Sequence, residues 1–381
     1  MKQLRSLCIP LAVLAAAGMA IPATAAAKAA GKKRPKITVM TRNVYLGADL
    51  GPAINASSIP QAIDGAGVIW NELRSTRFRD RAVPLARELK RSRAHLIGLQ
   101  EVALWRKQEP SDGGAATSGG LPGATLATTV EQDFLAILRR ELRAVGARYK
   151  VAAVQREFDA ELPVDVDRSD ATGTGPLAIF GADFDARLTM RDVILVRRGS
   201  KVKLRRIRRG HFETRYEPRI GGAIPLPVDR GWLSVEARYK GKRFRFVNTH
   251  LEAFGDPSIR EAQAKELTEG PLDTGRQLIL VGDLNSGVAR HNEPERPGDD
   301  LAFRALAGFG MRDRGAVQSC CYSDIFDPAA LFDHTVDHVL TKPGLKQVRA
   351  FVTGDDAGER TQSGLWPSDH GGVVSRLRLR R

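Results

Sequence analysis

Gln277-Leu278-Ile279-Leu280-Val281-Gly282-Asp283-Leu284-Asn285 sets an unbroken apolar run directly before a carboxylate and a carboxamide. Four apolar residues without polar alternation fit a strand covered on both faces. Gly282 allows a ligand or a second backbone to come close. Because side chains alternate across a strand, Asp283 and Asn285 are expected to point the same way, where they could face one phosphate or metal together. The same Asp-x-Asn order also makes turns, in which the Asp side chain binds backbone two residues on. The rest of the chain weighs these two readings.

Working outward, 243–249 and 232–237 read as strands before this run, and 335–340, 347–352 and 372–379 after it. In the last, Leu377 and Leu379 alternate with Arg376 and Arg378. Near the other end, Ile37-Thr38-Val39-Met40-Thr41 reads as a strand ending at Arg42-Asn43, and Leu96-Ile97-Gly98-Leu99 as one ending at Gln100-Glu101. Further strands are expected at 149–154 and 190–197. Apolar positions 78, 82, 85, 86 and 89 follow a helical period, although Pro84 interrupts it. Thr128 with Glu131, and Ser258 with Glu261, have capping-box spacing and predict helix starts. Residues 107–128, rich in Gly, Ser, Thr and Ala, read as a mobile surface loop. Strands and helices mix along the whole length without a repeat, so one α/β domain over 36–381 is expected.

The first 27 residues resemble an export signal, with Lys2 and Arg5 before an apolar stretch and Ala23-Thr24-Ala25 after it. Cleavage is expected near Ala25 or Ala27, followed by a disordered basic leader at 28–35. The expected product is secreted, monomeric and without an integral membrane anchor. Cys8 lies in the signal, which leaves Cys320 and Cys321. As neighbours they can close a vicinal disulfide, stay as thiols or pair between molecules. The formal charge of +15 favours polyanionic partners such as nucleic acid, anionic lipid or phosphorylated small molecules. It does not choose among them.

Six polar groups lie at or beside strand ends: Asn43, Gln100-Glu101, Asn248-Thr249-His250, Asp283-Leu284-Asn285, Val336-Asp337-His338 and Ser368-Asp369-His370. Together they suit metal-assisted attack of water on a phosphate ester. A hard cation such as Mg²⁺ or Mn²⁺ takes oxygen ligands and needs only one or two carboxylates; Asn43 and Glu101 fit. His370 with Asp337 fits a general base, an imidazole oriented by a carboxylate. His250 could hydrogen-bond a phosphoryl oxygen or serve the leaving group, while Asp283 and Asn285 orient water and phosphate. Asn248, with Asn285, is expected to touch substrate. Asp369 either adds to the metal site or supports His370. Asp192 reads as a structural acid.

In this order the residues resemble the endonuclease/exonuclease/phosphatase (DNase I-like) superfamily, and the resemblance covers about 36–379. Asn43 looks like the family's asparagine after the first strand. Leu99 to Val102 matches its Leu-Gln-Glu-Val motif, 248–251 its Asn-Thr-His-Leu, 282–285 its Gly-Asp-x-Asn and 368–370 its Ser-Asp-His. Asp337, between Val336 and Val339, matches the penultimate motif better than Asp333 in the nearby Asp333-His334 pair. The resemblance implies a four-layer α/β sandwich, two packed mixed sheets flanked by helices, and a divalent-metal-dependent phosphodiesterase. A structural Ca²⁺ is a further possibility.

The substrate must come from segments outside the motifs. The basic run 201–209 is a candidate phosphate-tracking strip, and equally a charged edge strand that deters aggregation. Residues 220–228 are apolar but lack the aromatics that anchor a lipid-inserting hairpin. Nucleic acid is therefore placed ahead of a phospholipid or a small phosphate ester, with an inactive binding protein of the same fold last.

Overall fold

In a computed structural model that describes residues 34–114, 123–167, 181–288, 297–322 and 324–380, the unbroken apolar runs become strands covered on both faces. The expected signal and most of the basic leader lie outside the described residues. The carbonyl of Pro35, the last residue of that leader, accepts from Leu379 N at 3.0 Å.

Two mixed sheets form. The first contains β1 (Lys36–Asn43), β2 (Leu96–Gln100), β3 (Leu104–Gln108), β4 (Thr129–Asp133), β6 (Phe184–Arg197), β15 (Lys346–Thr353) and β16 (Gly372–Arg378) in the order β15-β16-β1-β2-β6-β3-β4. The long β5 (Tyr149–Val164) also pairs with β6. The second runs β13 (Arg312–Asp313), β14 (Asp337–Thr341), β12 (Gln277–Asp283), β11 (Lys242–His250), β10 (Gly231–Tyr239), β7 (Lys203–His211).

Alternate residues of each central strand enter different cores. Ile279 and Val281 of β12 face inward with Ile37, Val39 and Leu96 of the first sheet. Leu278 and Leu280 face outward against Leu267 of α5 (Pro257–Glu269) and Leu306 of α6 (Leu301–Gly308). On the other side, Met40, Ile97 and Leu99 pack on Leu73 of α2 (Ile59–Ser75), Leu85 and Leu89 of α3 (Phe78–Ser92), and Leu138 of α4 (Phe134–Ala144). The result is a helix, sheet, sheet, helix sandwich. The two sheets approach closely at Gly98, where a Cβ would lie 2.1 Å from Asn248 Oδ1. Among the described residues no helix is long and apolar enough to cross a membrane.

Several local expectations change. Residues 129–133 form β4, paired with β3. α4 therefore starts at Phe134, capped by Asp133, whose side chain accepts from Leu135 N and Ala136 N. Asp256 replaces Ser258 as the cap of α5. No helix was expected at 59–75, where α2 forms with Pro60, Gly65 and Gly67 within it. Both glycines are needed for contact: a Cβ on Gly65 would meet Pro52 O at 2.4 Å, and one on Gly67 would meet Asp165 O at 1.6 Å. In the described parts of 107–128, Ser111, Gly113, Gly114 and Ala127 are buried, so the ends of that segment are packed into the protein. Cys320 and Cys321 are joined as a vicinal disulfide.

Candidate active site

Strand register builds the site. In the second sheet His250 pairs with Asp283, and Asp283 with Asp337, which makes one level row across β11, β12 and β14. In the first sheet Asn43 pairs with Gln100 at the parallel ends of β1 and β2, and Glu101 follows with φ 58°. The 368–370 segment leads into β16. Both sheets thus deliver polar groups to one end of the sandwich.

Those groups meet around Asp283. Its Oδ2 accepts from Asn43 Nδ2 at 3.1 Å and lies 3.6 Å from both His250 Nε2 and His370 Nε2. Asn43 Nδ2 also donates to Glu101 Oε1 at 3.0 Å, and Glu101 Oε2 accepts from Leu46 N at 2.8 Å. His370 Nδ1 is 2.8 Å from Asp337 Oδ2, which also accepts from Ser319 Oγ at 2.8 Å. On its other side, His370 Nε2 has Cys320 Sγ at 3.6 Å.

Asn285 is present by a different route than strand alternation. β12 ends at Asp283, and Asn285 has φ 46°. Asp283 Oδ1 accepts from Asn285 N at 2.8 Å, and Asn285 Nδ2 donates to Leu251 O at 2.9 Å. The turn reading and the site reading are therefore both realised by one carboxylate, an oxygen for each. Asn248 departs from expectation. It is fully buried, its Oδ1 accepts from Gln100 Nε2 at 2.6 Å, and its Nδ2 lies 3.2 Å from Leu99 O and 3.3 Å from Asp192 Oδ2. This places Asn248 in the packing between sheets, where both polar atoms of its side chain meet protein partners. Of the two Asp-His pairs, Asp337 reaches His370, whereas Asp333 bonds its neighbour His334 at 2.5 Å.

The electrostatics separate the two imidazoles. Burial would lower the pKa of His370, but the charges of Asp337, Asp283 and Asp369 outweigh it and hold the group well above the usual histidine range. Burial, helped by the Arg230 and His370 charges, pushes His250 well below that range, so it is neutral. Arg230 Nη1 lies 3.1 Å from His250 Nδ1. An arginine can only donate. Nδ1 must then accept, and the ring proton sits on Nε2, facing the carboxylates. Burial, with the adjacent Asp337 charge, raises Asp283 to about 6 against the opposing pull of His370. Burial raises Glu101 too, and the Asp369 charge adds to it.

Three arginines support this centre. Arg42, fully buried, donates to the His370 carbonyl, to Asn43 O at 3.3 Å and to Glu88 Oε1 at 3.2 Å. Arg81 donates to Val44 O and Pro367 O, each at 3.0 Å, which ties α3 to both segments that carry site residues. Arg230 is held by Glu252 at 3.3 Å. None of the three was expected at the site. A signal existed for two contributors on α3, because Arg81 and Glu88 fall on the same helical face as Leu85 and Leu89. Nothing comparable marks Arg230, which precedes its strand.

The family model for the endonuclease/exonuclease/phosphatase family matches residues 54–370. The chain belongs to this family. A solved endonuclease/exonuclease/phosphatase family protein from Bacteroides thetaiotaomicron superposes with a TM-score of 0.53 at 16% identity, covering 92% of this chain and 100% of its own. A mannosyl-6-phosphatase from the same organism gives 0.51 at 16%, covering 90% and 99%. These likenesses show the endonuclease/exonuclease/phosphatase fold. No curated protein matches in sequence.

The donor set fits the divalent metal chemistry of this family. Asp283, Asp337 and His370 each offer an atom within 4.8 Å of the others, and this cluster adjoins Asn43 and Glu101, whose oxygens are the hard donors such a cation takes. The mutual repulsion of Glu101 and Asp369 is the field a cation would relieve.

Proposed function

We propose that the protein is a divalent-metal-dependent phosphodiesterase, secreted after removal of its signal, with nucleic acid as its first substrate. The level row of His250, Asp283 and Asp337 facing Asn43 and Glu101 supports the reaction class. Asn43, Glu101 and Asp369 would hold Mg²⁺ or Mn²⁺, which when bound supplies charge stabilisation to the phosphoryl oxygens. Its charge would offset the carboxylates that hold the His370 pKa up, and His370, oriented through Nδ1 by Asp337, would then be free to take the proton of the attacking water at Nε2. Asp283 positions that water. Neutral His250 donates a hydrogen bond from its Nε2–H to a phosphoryl oxygen, beside the Asn285 carboxamide.

Register also favours a polyanionic substrate. Gly231 pairs with His250 on one side and with His211 on the other. The basic strand β7 therefore ends level with His250, two strand spacings or about 10 Å away. Arg205, Arg206, Arg208 and Arg209 on β7 are exposed, and a cleft of ≈ 590 Å³ beside it is lined by Arg156, Arg191, Arg209 and His211. A lipid-inserting hairpin gains no support at 220–228, because Ile220, Leu226 and Val228 are buried in the core.

The test is cleavage by the purified protein with Mg²⁺ of plasmid DNA, RNA, sphingomyelin, bis(p-nitrophenyl) phosphate and a sugar monophosphate. Nucleic acid should be cut, with turnover lost on EDTA treatment and in His370→Ala. Cleavage of lipid or sugar phosphate alone would overturn the substrate, and turnover indifferent to metal would overturn the mechanism.

A further inference from the structure

Far along β5 and β6 from this centre, three carboxylates gather where the segment after β3 returns to the sheet. Asp112, Glu161 and Asp185 each offer an oxygen within 4.8 Å of the others. Glu161 and Asp185 are diagonal neighbours on paired strands, since Glu161 lies opposite Arg187 and Pro163 opposite Asp185. Both are buried, at 1% and 0% exposure. Asp112 is brought in by a backbone bond, its N donating to Asp185 Oδ2 at 2.8 Å.

Most of these oxygens have donors. Asp185 Oδ1 accepts from Ser111 Oγ at 2.7 Å, Asp112 Oδ2 from Thr125 N at 2.8 Å, and Glu161 Oε2 from Ala127 N at 2.7 Å. Glu161 Oε1 is buried and has none. It faces Gly114, whose lack of a side chain leaves room for it. A Cβ there would lie 2.4 Å from Glu161 Oε1, 2.9 Å from the Thr125 carbonyl oxygen and 3.1 Å from Asp112 Oδ1. Three oxygens, two of them anionic, thus crowd around Gly114, whose N also donates to Asp112 Oδ1 at 3.1 Å.

The nearest cation is committed elsewhere. Arg187 donates to both oxygens of Asp159, at 2.8 and 2.6 Å. Among the described residues no lysine or arginine forms an ion pair with Asp112, Glu161 or Asp185. Burial, with the Asp185 charge behind it, pushes Glu161 up to about 7. Carboxylates crowded without a counter-charge need either a proton or a cation.

The geometry points to a second divalent cation site at Asp112, Glu161, Asp185 and the Thr125 carbonyl, separate from the candidate active site and of the calcium class. Carboxylates mixed with a backbone carbonyl suit Ca²⁺, which takes 6–8 oxygens in flexible geometry, better than Mg²⁺, which prefers to keep its waters. The ion would fasten both ends of the segment between β3 and β4 to β5 and β6.

The experiment is calcium titration into the metal-stripped full chain, followed by calorimetry and thermal unfolding, with Mg²⁺ as comparison. Wild type and Glu101→Gln, which alters only the other centre, should both bind Ca²⁺. Each should gain about 5 °C in Tm at a hundredfold excess over Kd. Glu161→Gln should weaken binding at least tenfold and abolish the shift. Asp112→Asn, at a less buried position, should do the same and guards against a folding defect in the first variant. A shift that survives both substitutions, a shift lost in Glu101→Gln, or no calcium binding by wild type would overturn the site.

Discussion

Removing Glu88 should unfold the protein more readily than removing Glu88 and Arg42 together. Both side chains are fully buried, and Glu88 is the only carboxylate that the described structure pairs with Arg42. Glu88→Ala would strand a guanidinium in the core and leave Thr353 Oγ1 with one of its two acceptors, the Gly372 carbonyl at 3.2 Å. Breaking one side of a buried pair costs about 3–5 kcal/mol, or roughly 5–10 °C in Tm for a domain of this size. The double variant Arg42→Met/Glu88→Leu buries no charge. Its main loss is of donors to the Asn43 and His370 carbonyls, about 1 kcal/mol each. Urea unfolding followed by tryptophan fluorescence should therefore rank wild type above the double variant and the double variant above Glu88→Ala. Turnover of bis(p-nitrophenyl) phosphate separates a second effect. The folded double variant should still be slow, because Arg42 no longer fixes the His370 carbonyl. A single variant as stable as the double, or a double variant with full turnover, would refute this account of the pair.

Two further outcomes are expected. His95 Nδ1 accepts from Thr38 N at 3.1 Å, and burial, with the Arg197 charge, lowers its pKa to about 4. The unfolded state then binds the proton more readily than the folded one, so this residue costs stability as pH falls from about 6.5 to about 4, by roughly 2 kcal/mol after allowance for partial exposure. His95→Asn keeps an acceptor without a titration, and its denaturation midpoint should approach or exceed that of wild type at pH 4.5 but not at pH 8; parallel pH profiles would contradict this. Arg230→Lys keeps a cation for Glu252 while losing the fork that reaches His250. Turnover should fall about 10- to 100-fold, and nitrogen NMR should show His250 passing from a single Nε2-protonated tautomer to a mixture. An unchanged tautomer with reduced turnover would remove Arg230 from its positioning role.

The strand ends were legible because their meaning is local: an apolar run stops, and the next polar residue stands where the sheet surfaces. Asn43, Glu101, His250, Asp283, Asp337 and His370 come together as their placement suggested. What failed depended on distant partners. β4 is a strand only because β3 offers it an edge, so the sequence around Thr128 and Glu131 was read as the first turn of a helix. α2 packs as it does because its glycines let Pro52 O and Asp165 O approach, contacts that composition cannot announce. Asn248 sits in a recognisable motif, yet its side chain turns inward to meet Gln100 across the sheets.

That inward turn at Asn248 has a mechanical corollary. With no room for even a methyl group at Gly98, the two sheets meet as a keyed joint, and the reacting groups are divided between its halves. Neither half alone holds the whole candidate site. Turnover should consequently vanish in step with undocking of the sheets rather than fade through intermediate forms, which makes activity itself a gauge of whether the joint is closed.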